Sequence, residues 1–169
     1  AESVVAVCGK SRDARIFKIN FRSLFVCAGA TQTPFLLRKS GITRNIGNSL
    51  KLHAMIRVVA EFSEVVNYGS NQIPGTQVQE FKPDVTLGCS NSSRPFLGLW
   101  LAGQREDVAE KLARWERMAI YYAAITPKAT GRVRAFPGLN CPFVRYQLLD
   151  EDLRLLGKSL YRLSELLFS

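Results

Sequence analysis

Six leucines place the strongest constraint on how this chain folds. Leu149, Leu153, Leu156, Leu160, Leu163 and Leu167 recur at spacings of 4, 3, 4, 3 and 4. That rhythm puts all six on one side of an α-helix and on no single side of a strand. A helix is therefore predicted from about Asp150 to Phe168. Asp150, Glu151 and Asp152 stand at its start, where the macrodipole is positive, and Lys158 and Arg162 lie further along. The stripe reads as a face turned to the core, with a seam between subunits as the alternative.

The N-terminal residues carry a different rhythm. Phe17, Ile19 and Phe21 alternate with Lys18, Asn20 and Arg22, the period-two mark of a half-buried strand. Residues 3–8 are short and rich in β-branched side chains, and residues 9–13 form a turn cluster. Residues 24–27 and 35–37 extend or follow the second strand, which predicts a hairpin or a three-stranded meander.

At Asn48-Ser49 the pattern changes again. Leu52, Met55, Val59, Phe62 and Val66 are spaced 3, 4, 3 and 4, which predicts a helix ending near Gly69. Its charges oppose the dipole, with Lys51 early and Glu61 and Glu64 late. Residues 70–103 hold Pro74, Pro83 and Pro95 among many apolar side chains, so an ordered, winding segment with a short strand at 85–87 is expected. Val108, Leu112, Trp115, Ala119 and Tyr122 predict a further helix, stopped by Pro127. The expected fold class is α+β: an N-terminal β-hairpin or small meander, then a bundle of three or so amphipathic helices with a long ordered loop. One domain is expected over 1–169, strand-rich and basic over 1–45 and mainly helical over 48–169.

The longest uncharged apolar stretch, residues 118–127, is too short to span a bilayer. Cys8, Cys27, Cys89 and Cys141 form no C-x-x-C pair, and a reducing compartment is expected: cytoplasm, or the virion for a coat protein, with an organelle matrix as alternative. Ala1 fits either removal of an initiator Met or cleavage of a transit peptide.

Charge carries the functional expectation. The formal net charge is +9, and its placement is uneven. Residues 14–60 hold no Asp or Glu but carry Arg15, Lys18, Arg22, Arg38, Lys39, Arg44, Lys51 and Arg57. Residues 118–149 hold no acid either and carry Lys128, Arg132, Arg134 and Arg145. Cations mixed with aromatic side chains suit single-stranded RNA or another polyanion. These twelve residues are the expected nucleic-acid contacts, converging on one surface. The expected function is a non-enzymatic RNA-binding structural subunit of a larger assembly, of the coat or nucleocapsid type, forming a homo-oligomer. An accessory or scaffold subunit of an organellar or ribonucleoprotein complex is the alternative.

Enzymatic constellations are sparse. Gly9-Lys10-Ser11 resembles the end of a P-loop, but the glycine it needs five positions earlier is Val4. No G-x-G-x-x-G is present, and no RNP1-like string. His53 is the sole histidine, so a cysteine hydrolase using Cys89 and His53, with Asp84 nearby, is a remote alternative. No cofactor and no metal are expected.

Overall fold

The structure, a computed structural model, describes residues 5–10, 16–68, 75–103 and 107–169, the side chains of residues 5–10, 16 and 17 excepted. Arg15, the turn at 11–13 and Gly69 lie outside the described residues. The chain divides into two compact units: residues 1–47 with 133–143, and residues 48–132 with 144–169.

The first unit opens with an antiparallel hairpin of β1 (Val5–Lys10) and β2 (Ile16–Phe21), in the register Val5↔Phe21 to Lys10↔Ile16. Helix α1 (Gly29–Lys39) follows and buries Phe35. Arg38 and Lys39 occupy its last turn, where the dipole favours cations. Gly41, at φ +84°, ends it in the left-handed conformation, with its N–H donated to the Arg38 carbonyl at 3.1 Å. Gly47 is required twice over, by its positive φ of +69° and because a Cβ there would run into the Val133 carbonyl oxygen. Its carbonyl accepts the Val133 N–H at 2.8 Å.

The second unit is built on one antiparallel sheet. Its strands are β3 (Met55–Glu61), β4 (Gln77–Val78), β5 (Val85–Cys89) and β6 (Met118–Ile125), in the order β3-β6-β5-β4. Helices α2 (Arg94–Leu101) and α3 (Val108–Leu112) and a 3-10 turn at Trp115–Arg117 precede β6. Two short strands, β7 (Arg132–Arg134) and β8 (Phe143–Arg145), make a separate two-stranded sheet, of which residues 133, 134 and 143 are counted in the first unit. Helix α4 (Asp150–Phe168) closes the chain. Side chains alternate across the sheet. On one face Val85, Leu87, Ala123 and Ile125 are buried with Leu163 of α4, joined by Val58, Leu155, Leu156 and Leu167. On the other, Met118 and Ile120 are buried with Leu97 and Leu101 of α2, joined by Val59, Leu112 and Trp115.

The mixed α+β class, the N-terminal hairpin, the strand near 85–87 and the C-terminal helix are all present. Several segments differ from expectation. Residues 24–27 form no strand, and residues 94–101 of the expected winding segment are helix α2. Residues 35–37 lie in α1, because Pro34 inside the helix reads in sequence as a breaker. Residues 55–61 are strand β3: the 3-4 spacing was a coincidence overlying Ile56, Val58 and Val59, β-branched residues that favour a pleated surface. The opposed dipole charges were the warning. The helix begun at Val108 ends at Leu112, and residues 118–125 are β6. A central strand covered on both faces reads as a continuous apolar run, which periodicity cannot separate from a helix. The leucine stripe is divided. Leu156, Leu163 and Leu167 pack on the sheet, whereas Leu149, Leu153 and Leu160 are exposed. Asp152 and Ser159 take buried positions on the helix instead.

Candidate functional site

Several expected RNA contacts are engaged with the chain itself. The Lys51 ammonium donates to the carbonyls of Pro127 (3.2 Å), Lys128 (2.9 Å) and Ala129 (3.0 Å), enough to occupy its three protons. Beside it, Leu50 and Gly131 exchange backbone hydrogen bonds of 2.7 and 3.1 Å. The same segment is gripped from its amide side by Asp152, which is 2% exposed. Asp152 accepts the N–H groups of Lys128 (2.8 Å), Ala129 (3.1 Å) and Leu149 (3.0 Å). Burial pushes this carboxyl up, but the three backbone donors and the Lys51 charge outweigh it and hold it below its ordinary value. Two opposite charges thus clamp one stretch of backbone. The Lys128 side chain is paired with Glu151 at 2.7 Å.

In the first unit Arg38 donates to the Ile46 carbonyl at 2.8 Å, and Arg134 to the carbonyls of Gly47 (2.8 Å) and Val133 (3.0 Å). Lys39 reaches Asn140 Oδ1 at 3.2 Å and lies 5.2 Å from the Phe35 ring centroid. Lys18, Arg22, Arg44, Arg132 and Arg145 are exposed, and Arg15 is outside the described residues. Within the second unit the acid-free windows do meet, at Lys51 and residues 127–129, but there the cation faces backbone carbonyls.

The cysteine hydrolase is excluded by register. Cys89 lies opposite Tyr121 on β6, whereas His53 shares a cavity of about 360 Å³ with Ile125, Thr126 and Pro127. Tyr121 and Ile125 are four residues apart on one strand, roughly 13 Å. Burial pushes the Cys89 thiol up, only partly offset by its hydrogen bond with Tyr121, so it is not activated as a nucleophile. Among the described residues no group of three or more His, Cys, Asp or Glu could hold a metal ion.

One part of the sheet offers recognition chemistry. Beyond Met118 and Ile120, the α2 face of the sheet continues through Met55, Arg57, Tyr122, Thr86, Gly88 and Gln77, none of which belongs to either buried cluster. Arg57 and Gly88 are the cross-strand neighbours of Tyr122 on either side. The absent side chain at Gly88 is what lets the phenol lie across β5. A Cβ there would meet Tyr122 ring and hydroxyl atoms at 2.8–3.0 Å. Gln77 then fixes the phenol, its Nε2 donating to Tyr122 Oη at 2.7 Å. Trp100 of α2 fixes the Arg57 guanidinium, which stacks 4.9 Å from the indole centroid. A guanidinium and a phenol are thus held side by side on a half-open surface. Sequence reading placed Arg57 on a helix and missed Tyr122, Gln77 and Trp100. The available signal was Gly88, since an isolated glycine within a strand marks a close approach.

Comparison with known proteins finds similarity to oxidoreductases. Residues 1–55 match the GMC oxidoreductase family. The chain is 38% identical over 146 residues, 86% of its length, to the uncharacterized GMC-type oxidoreductase y4nJ of Sinorhizobium fredii, of which it covers 29%. It is 28% identical over 151 residues, 87% of its length, to the uncharacterized GMC-type oxidoreductase Rv0492c of Mycobacterium tuberculosis, of which it covers 24%. The chain thus spans less than a third of the length of these relatives. The likeness overturns the expectation of a non-enzymatic, RNA-binding coat or nucleocapsid protein, and with it the scaffold-subunit alternative, since it runs to enzymes. The physical reason is that a window free of acids can be basic because its cations serve the fold's own carbonyls and rings. No described helix is long and apolar enough to cross a membrane.

Proposed function

We propose that this chain is part of a GMC-type oxidoreductase, and that the half-open face carrying Arg57, Tyr122 and Gln77 is the wall it turns toward a small organic substrate. The observation that carries the reading is the 38% identity over 146 residues, which takes in both units. The geometry supports the assignment of the face. Its polar groups are fixed by the fold before any ligand arrives, as a recognition surface requires. An oxidoreductase removes electrons from a substrate and passes them to an acceptor, and that chemistry belongs to a cofactor, while the protein binds and orients. The G-x-G-x-x-G fingerprint is absent from this sequence, and we assign no residue here to the cofactor.

The test uses the protein expressed from its whole reading frame. A panel of primary alcohols, aldehydes and amines is offered with an artificial electron acceptor, and bleaching of the acceptor is followed. At least one compound is expected to reduce the acceptor, with kcat/KM lowered in Tyr122→Phe and in Arg57→Gln. Activity left unchanged by both substitutions removes this face from the substrate site.

A further inference from the structure

A cavity of about 290 Å³ opens beside β3, lined by Arg57, Val58, Val59, Trp100, Leu101 and Lys111. Two of these six residues, Arg57 and Lys111, are cationic, and none of the described lining residues is acidic. Glu61, on the same face of β3 as Arg57, is held by Arg114 Nε at 2.6 Å. The remainder of the lining is apolar or aromatic. Stacking on Trp100 occupies one face of the guanidinium and leaves its N–H edge, the part that matches a carboxylate, for a ligand. The volume is at the lower end of ligand pockets.

We propose that this cavity binds a small organic carboxylate, its charge on the Arg57 fork and its apolar body against Val59, Leu101 and the Trp100 indole. The proposal rests on the reading of this face as the substrate wall, and narrows the substrate to organic acids or compounds bearing one. Arg57 alone would suit any oxyanion. The apolar lining selects one with a hydrocarbon body over inorganic phosphate, because desolvating those walls against a fully hydrated ion gains nothing.

Benzoate is the probe, titrated into the full chain by calorimetry, with benzamide as its uncharged isostere and inorganic phosphate as competitor. Benzoate is expected to bind saturably. Arg57→Gln is expected to weaken it about ten- to a hundredfold, the range for a charge-assisted hydrogen bond. Benzamide should be weaker by a similar factor. Arg57→Lys should fall between wild type and Gln, since it keeps the charge and loses the fork. Trp100→Leu should weaken benzoate as well, and circular dichroism should show all three variants folded. Equal binding of benzoate and benzamide, or wild-type affinity in Arg57→Gln, overturns the proposal. Displacement of benzoate by equimolar phosphate overturns the choice of an organic ligand. The readout needs no turnover, so the two readings fail separately. Benzoate binding as described, with acceptor reduction unaffected by Tyr122→Phe and Arg57→Gln, keeps the cavity and removes the face from the substrate site, and Arg57-dependent turnover without benzoate binding does the reverse.

Discussion

The two faces of the β3-β6-β5-β4 sheet come from the same strands, one residue out of phase, and they do opposite work. The face beneath α4 presents Val85, Leu87, Ala123 and Ile125 and is sealed by Leu163, with no charged side chain in the cluster. The opposite face is sealed by α2 only at its Met118 and Ile120 end, and then opens onto Arg57, Tyr122 and Gln77. The closed face holds the unit together by removing apolar surface from water. The half-open face leaves that contribution unrealised and instead keeps polar groups fixed and accessible. A single strand such as β6 serves both by alternation, which is why one residue of register decides between stability and recognition.

Substitutions on the two faces should therefore differ in kind as well as in size. The largest effect is expected at the closed face. Leu163→Ala should cost about 2–5 kcal/mol and lower the urea midpoint accordingly. A cost below 1 kcal/mol would mean that α4 is not the seal. Next comes Gly88→Ala, where the new methyl meets the Tyr122 ring at 2.8–3.0 Å and forces it away. A loss of about 1–3 kcal/mol is expected, most of it recovered in the double variant with Tyr122→Ala. Simple additivity in that cycle would show that the phenol does not lie over Gly88.

A smaller, pH-dependent effect belongs to the Asp152 clamp. Its carboxyl is held below the ordinary value of 3.8, so its contribution is complete above that value and is lost as pH falls through the depressed one. Urea midpoints measured from pH 7 to pH 3 should fall more steeply for wild type than for Asp152→Asn. Parallel curves would mean that the three backbone donors do not favour the ionised form. The smallest effect on stability should come from the half-open face itself. Arg57→Gln should change unfolding free energy by no more than about 0.5 kcal/mol. A loss comparable with that of Leu163→Ala would show that Arg57 is part of the core and would dissolve the contrast between the faces.

Legibility in the sequence followed how local the deciding physics was. The α4 helix was readable because its rhythm is long and its first turn carries three acids. The hairpin was readable because period two stands out wherever polar and apolar residues alternate. Strands β3 and β6 were misread because each lies within a longer run of five apolar positions at helical spacing, two of which fall in the strand. The α2 helix was missed because eight residues beginning Arg94-Pro95 look like part of a proline-punctuated loop. The candidate site was legible only as charge. Arg57 stood among eight cations in an acid-free window, with nothing in the sequence to distinguish it from Lys51.

The sequence alone determined the mixed class, the terminal helix, the N-terminal hairpin and the positions of the charges, because each depends on neighbours within a few residues. Tertiary structure alone decided which cations were used up and which remained available. Lys51 ends on three carbonyls from residues 127–129, and Arg57, six positions later, ends on the indole of Trp100. Both partners come from sequence-distant segments that only the sheet and its flanking loops bring near. A cation's availability depends on what surrounds it in space, and that is fixed when β3 pairs with β6 and α2 folds back over its edge.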